Sequence, residues 1–242
     1  MTAPATDPRR RVVDVDSFDE LARRPLVSPT NALCLRRAPA GDFAELAHRL
    51  APADGLVAVE PDALRRLRTS PQGRVAADVI LDDLARLDAL GLDPVLNCIR
   101  DYPRDTRGLP IATDVLSFHV DRAPTAVDTW LCTYHGSSTE GLHAEDAVRL
   151  VDDPQIRAAL RQLHAADHND HNDHNDDAFE AFLREHSFDL HYRPKANARA
   201  LALGVGNLWR LAVLWPGSTT TPFIHRAPAT TVDDEPRLLL IC

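Results

Sequence analysis

Three residues of this sequence have the chemistry to hold a transition metal at a reactive centre: His119, Asp121 and His225. The first two close the segment Asp114-Val115-Leu116-Ser117-Phe118-His119-Val120-Asp121, which reads as a strand ending in His-x-Asp. Residues i and i+2 of a strand point to the same face, so an imidazole and a carboxylate stand side by side. His225 comes much later, in Pro222-Phe223-Ile224-His225-Arg226-Ala227-Pro228. Two imidazoles and one carboxylate make a facial ligand set suited to non-haem Fe(II), with coordination positions open opposite. Those open positions matter, because substrate or cosubstrate and O₂ must reach the metal together. Zinc is the alternative metal, and a fourth protein ligand such as His135 would make the site tetrahedral and structural.

Arg237 follows His225 by twelve positions and opens the apolar run Leu238-Leu239-Leu240-Ile241. Its planar fork suits a carboxylate, which it grips through two parallel hydrogen bonds. This order of residues resembles the 2-oxoglutarate-dependent dioxygenases, in which a basic residue on the strand after the distal histidine holds the cosubstrate's far carboxylate. Each residue also has a plainer reading. His119 can be a buried histidine bonded to Asp121, Asp121 can cap the turn into Arg122-Ala123-Pro124, and His225 can pack beside Trp215 or Phe223. Arg237 can pair on the surface with Asp233, Asp234 or Glu235.

Four further residues are candidates for substrate contact. Thr133, Tyr134 and His135 lie where a strand runs into the polar loop Gly136-Ser137-Ser138-Thr139-Glu140, and Arg210 interrupts the apolar run after Gly206-Asn207. Asp189-Leu190-His191-Tyr192-Arg193 can add polar groups at the mouth of the same site. Nucleophilic catalysis finds no Gly-x-Ser-x-Gly elbow. Gly204-Val205-Gly206 lacks the third glycine and following helix of a dinucleotide-binding loop.

Composition sets the bounds. The chain has 242 residues, 44% hydrophobic and 26% charged, as expected of a globular protein with a sizeable core. A net charge of −9 and scattered arginines argue against a nucleic-acid partner, which needs a concentrated basic face. No run approaches the length of about 18 apolar residues that crosses a membrane. The four cysteines form no C-x-x-C pair and read as reduced, mostly buried thiols of a cytoplasmic protein. Residues 1–11 read as a disordered arm without a secretory h-region. Residues 168–176 repeat His-Asn-Asp three times, either a loose metal-binding tract or a solvated loop lengthened by repetition. Oligomeric state has no signature in the sequence.

The elements that must position these residues fall into two parts of a single domain spanning 12–242. Residues 12–93 read as mainly helical: a short helix capped by Ser17, an apolar strand over Asn31 to Arg37, and helices over Gly41 to Leu50 and Gly73 to Leu90. In the longest helix Val75, Val79, Leu81, Leu84, Leu87 and Leu90 lie near one stripe, with Gly91 as C-cap. From Pro94 the pattern turns to strands: 94–100, 112–120, 128–134, 198–203, 208–215 and 237–242. Helices at 144–164 and 177–186 form an insertion in this β-core. The fold class is α+β.

The motif segments Phe118-His119-Val120-Asp121, Leu131-Cys132-Thr133-Tyr134-His135-Gly136-Ser137-Ser138-Thr139, His225-Arg226-Ala227-Pro228 and Pro236-Arg237-Leu238-Leu239-Leu240 resemble an uncharacterised bacterial family, domain of unknown function 1826. The chain departs from that family's pattern at His135 and Ser137-Ser138, where glycine-proline and a second basic residue are expected. That resemblance implies a shared metal site and a link to zinc homeostasis, without a reaction. The more distant likeness to 2-oxoglutarate oxygenases implies a double-stranded β-helix, of the jelly-roll or cupin kind. On this basis the expected function is an Fe(II)- and 2-oxoglutarate-dependent oxygenase acting on a small or amino-acid-like molecule. A non-catalytic zinc-handling protein and a cupin-like metalloenzyme without 2-oxoglutarate remain open beside it.

Overall fold

The computed structural model describes residues 11–168, 176–229 and 234–242, with the side chains of 167 and 168 left out. The expected arm, apart from Arg11, and most of the His-Asn-Asp tract lie outside the described residues.

The N-terminal part opens with strand β1 (Val12–Val15) and helix α1 (Phe18–Arg23), then β2 (Ala32–Leu35) and α2 (Phe43–Leu50). Strand β3 (Leu56–Val59) precedes α3 (Pro61–Arg66) and the long α4 (Pro71–Asp88). Local chemistry explains the helix ends. The Ser17 hydroxyl accepts from the Glu20 N–H at 3.1 Å while the Glu20 carboxylate accepts from the Asp16 N–H, a reciprocal pair that satisfies donors at the helix start. Gly91, at φ +76°, closes α4 by bonding the Asp88 carbonyl, and the Leu92 N–H reaches back to Leu87.

The remainder runs β4 (Val95–Ile99), β5 (Phe118–His119), β6 (Asp128–His135), β7 (Glu140–Leu142), β8 (Ala147–Arg149), α5 (Pro154–His168) and α6 (Asp176–Glu185). It ends with β9 (His191–Pro194), β10 (Leu201–Ala202), β11 (Leu208–Ala212), β12 (Ile224–Arg226) and β13 (Arg237–Ile241). These strands form two sheets. The seven-stranded sheet has the order β1-β2-β11-β6-β13-β4-β3, and the six-stranded sheet β10-β7-β12-β5-β9-β8. All pairings are antiparallel except β1 with β2.

The N-terminal part is less purely helical than its sequence suggests. Strands β1 and β2 extend one side of the seven-stranded sheet, through β2 on β11, and β3 extends the other on β4. The buried stripe of α4 also differs, running through Ala76, Ala77, Ile80, Asp83, Leu84 and Leu87, while Val75 and Leu90 are exposed. The strand expected over 112–120 shrinks to Phe118–His119. Upstream, Asp105 and Asp114 side chains accept backbone N–H groups of Thr113, Asp105 and Leu116 and hold an irregular loop. The helix expected from 144 begins only at Pro154, behind Asp153, whose carboxylate accepts from the Gln155 N–H; β8 and two 3₁₀ turns fill the interval.

Alternation along the strands sorts side chains to the two faces of the larger sheet. Leu33, Leu96, Cys98, Trp130, Cys132, Leu208, Leu238 and Leu240 pack with Leu21, Phe43, Leu46, Leu64, Ile80 and Leu87 of the helices. The opposite face presents Ala32, Cys34, Ile99, Leu131, Trp209, Leu211 and Leu239, packed with Leu203 and Phe223. Each such aliphatic side chain contributes about 1.5–3 kcal/mol by burial. Cys34, Cys98 and Cys132 are buried, Cys242 half-buried, and none is in a disulfide. Burial pushes the thiols of Cys34 and Cys132 up to about 12 and those of Cys98 and Cys242 up to about 11. No helix among the described residues is long and apolar enough to cross a membrane.

Candidate metal centre

Three neighbouring strands of the smaller sheet set a row of histidines. His225 on β12 pairs with His119 on β5, and His119 pairs in turn with His191 on β9. Paired residues point to the same face. Phe118, Val120 and Ile224 pack together on the other face, so His119, Asp121 and His225 turn the opposite way. Phe223, two residues before His225, belongs to the cluster between the sheets and marks that direction. Gly141, paired with His225, leaves room for Phe223, since a Cβ there would lie 2.6 Å from the ring.

The ligand atoms of His119, Asp121 and His225 all lie within 4.8 Å of one another. The Asp121 carboxylate is 3.8 Å from His119 Nε2 and 3.6 Å from His225 Nε2, and the two rings are 4.7 Å apart. Each Nδ1 is engaged behind: His119 bonds the Ser117 carbonyl at 2.8 Å and His225 that of Phe223 at 3.3 Å. Donation from Nδ1 fixes the tautomer that leaves both Nε2 lone pairs pointing at a common centre. The Thr129 hydroxyl on β6 donates to Asp121 Oδ2 and orients the carboxylate from the facing sheet. Burial and the neighbouring His225 lower the basicity of His119, which favours the neutral imidazole that binds metal. No other His, Cys, Asp or Glu among the described residues joins this group.

Arg237 lies on the other wall. It shares a face of β13 with Leu239, and so looks into the space between the sheets. Its side chain is almost wholly buried, at 1% exposure, yet its partners are hydroxyls: Tyr102, Thr133 at 3.1 Å and Thr139 at 2.6 Å. Nε is buried without a partner, and among the described residues no carboxylate lies within ion-pair distance of the guanidinium. Burial lowers the basicity of Arg237, with Tyr102 opposing. Of the acidic neighbours, Glu235 faces His48 and His135 instead, and Asp233 lies outside the described residues.

The other candidates separate. Thr133 faces the same interior and bonds Arg237. Tyr134 points to the helices, stacking on Phe43 at 5.4 Å and donating to Asp83 at 2.5 Å. His135 stands with His48 and Glu235, not with the triad. Arg210 pairs with Asp128 at 2.7 Å and bonds the carbonyls of Leu21, Ala22 and Arg24, tying down the end of α1. These contacts leave Tyr134, His135 and Arg210 outside the interior that the triad faces.

Two groups escaped the sequence reading. Thr129 and Thr139 carry no spacing signal, although a threonine on the same strand face as Thr133 is a hint. His191 was visible only as one of several polar residues near 189–193. It joins Asp114, His119, Asp121, Arg122 and Arg184 around a cleft of about 380 Å³. Its Nδ1 is buried without a partner, and burial beside His119 lowers its pKa to about 4. Arg122 is occupied by Asp189 and by the Arg184 carbonyl. No protein-family model matches the chain, and no curated protein matches it either.

Proposed function

We propose that this protein is a non-haem Fe(II) oxygenase that uses 2-oxoglutarate to oxidise a small or amino-acid-like substrate. The observation that carries the reading is Arg237: a buried guanidinium with no carboxylate beside it among the described residues, on the wall facing a three-ligand candidate metal site. A buried charge is normally paired, and a bidentate anion entering between the sheets supplies the missing partner. Thr129 touches the metal-ligand end of this interior and Thr133 the arginine end. They lie four residues apart on one strand, about 13 Å, a span that a short dicarboxylate shares with the side chains reaching in from both ends.

Strand order supports the same reading. Taken in sequence, β4, β6, β11 and β13 lie together in one sheet as β11-β6-β13-β4, and β5, β7, β10 and β12 in the other as β10-β7-β12-β5. Eight strands distributed this way over two facing sheets favour reading the core as a double-stranded β-helix. The relationship to domain of unknown function 1826 is proposed on its motif segments alone.

Fe(II) held by His119, Asp121 and His225 would supply O₂ activation, with open positions for cosubstrate and O₂. The chain's own contribution is positional. Ser117 and Phe223 carbonyls hold the imidazoles, Thr129 holds the carboxylate, and Arg237 with its hydroxyls anchors the far end of the cosubstrate. The cleft beside His191 is the approach for substrate, and the apolar wall of Leu131, Trp209 and Leu239 keeps water from the interior.

Anaerobic addition of Fe(II) and 2-oxoglutarate should produce a weak visible charge-transfer band, abolished in His225→Ala. Absence of the band in the wild-type protein, or its persistence in His225→Ala, rejects the proposal. Zinc handling by the same triad would show as tight Zn²⁺ uptake without 2-oxoglutarate binding.

A further inference from the structure

The opposite face of the same strand ends carries a second convergence of ligand atoms. His48 sits in the last turn of α2, His135 ends β6, and Glu235 lies just before β13. Their ligand atoms lie within 4.8 Å of one another. The pairing of β6 with β13 explains why His135 is here. Leu238 pairs with His135 but Leu239 with Thr133, so Tyr134 is an extra residue on β6. Such a bulge re-aims the side chain that follows. His135 thus turns to the α2 side, its ring 6.0 Å from that of His48.

We propose that His48, His135 and Glu235 form a second metal site, for Zn²⁺ or a similar borderline divalent cation, which pins α2 to the segment leading into Arg237. The bonding of His48 makes the case. Its Nδ1 lies 2.7 Å from the Ala44 carbonyl, an acceptor, so Nδ1 carries a proton and Nε2 is the atom available to a ligand. That Nε2 is 2.7 Å from Glu235 Oε2, also an acceptor, so either a second ring proton or a metal ion bridges them. A proton can bridge two acceptors, but a third converges here. His135 Nε2 is 3.6 Å from the same oxygen, buried, and without a hydrogen-bond partner. An orphaned buried nitrogen calls for an explanation, and a metal bound by all three atoms provides one.

The geometry is within reach of coordination. Zinc bonds of 2.0–2.2 Å in a tetrahedron put neighbouring ligand atoms about 3.3–3.6 Å apart. The His135 contact of 3.6 Å falls at the end of that range and the His48 contact of 2.7 Å must widen, and the two ligands that must adjust, His48 and Glu235, are exposed side chains. Their exposure leaves the fourth position to solvent. Glu235 lies two positions before Arg237 and His135 two positions after Thr133, so a metal here braces from behind the strand ends that hold the buried guanidinium. This site does not depend on how the triad is read.

The experiment uses the full chain carrying His225→Ala, which disables the triad, titrated calorimetrically with Zn²⁺. We expect a tight equivalent of zinc that disappears in His225→Ala/His48→Gln and in His225→Ala/Glu235→Gln. These replacements are at the surface, and metal-free melting curves matching the parent will show that they leave the fold intact. Co²⁺ in place of zinc should give visible bands of a four-coordinate site, lost in the same two variants. The proposal is overturned if His225→Ala takes up no zinc, or if zinc uptake survives both substitutions. The latter result would place the metal elsewhere, for instance on the His-Asn-Asp tract.

Discussion

Two arginines, Arg37 half-buried and Arg237 buried, lie against opposite faces of the seven-stranded sheet, and they are solvated in opposite ways. On the helix side, Arg37 makes a two-pronged contact with Asp83, donates to the Gly206 carbonyl at 2.8 Å, and approaches Cys132 Sγ. Tyr134 completes the shell of Asp83. Burial opposes the charge of Arg37, yet the hydrogen bonds to Asp83 raise its pKa above the ordinary value. On the inner side, Arg237 has three hydroxyls, an unused Nε and a lowered pKa. The first arginine is complete within the protein, and its role is to join α4 to the sheet. The second has no carboxylate partner among the described residues, and on the proposed reading an anion completes it. Burial alone does not distinguish a structural charge from a binding one; the identity of the partner does.

The comparison breaks most visibly at Asp83. Asp83→Ala leaves the half-buried Arg37 without its counter-ion and Tyr134 without its acceptor, and should cost about 3 kcal/mol of stability, the low end for a buried pair, read as a large fall in denaturant midpoint. Arg237→Met should behave differently. It removes an uncompensated charge while leaving hydroxyls short of a partner, and the two effects oppose each other, so stability should change by less than about 2 kcal/mol. Binding of 2-oxoglutarate should then weaken by more than about tenfold, the equivalent of one charge-assisted hydrogen bond, while Fe(II) binding persists. Denaturation curves in which Arg237→Met is as damaging as Asp83→Ala would make both arginines structural.

This contrast also marks how far the sequence could be read. The convergence of His119, Asp121 and His225 was legible because strand alternation and chain order need no knowledge of partners. The larger strands and α1, α2 and α4 were legible through periodicity and caps. Asp83 was not, because a buried carboxylate on an apolar stripe reads as a surface position until Arg37 is brought to it from a distant loop. The same blindness shifted the stripe on α4 toward Val75 and Leu90. Tyr134 and His135 were grouped with Thr133 by proximity in sequence, whereas alternation sends Tyr134 to the other face and a bulge sends His135 after it. Short strands such as β7, β9 and β12 escaped notice for a related reason. With three or four residues each, they are held by pairing rather than by intrinsic preference.

The smallest effect tests the comparison most finely. Thr139 Oγ1 accepts from Arg237 Nη2 at 2.6 Å, in the position an anion's oxygen would share. Thr139→Val keeps the shape of the side chain and removes only that acceptor. In the anion-free protein the guanidinium loses one of few partners, so stability should fall by about 1 kcal/mol. With 2-oxoglutarate bound, the ligand's carboxylate satisfies the same N–H groups, and the penalty should shrink. By linkage, 2-oxoglutarate must then stabilise the Thr139→Val variant more than the wild-type protein, which thermal melts with and without the ligand would register. An equal penalty in both states would show that the hydroxyl belongs to the permanent shell of Arg237. The inner arginine would then be satisfied much as Arg37 is, and the case for a missing anion would fall with it.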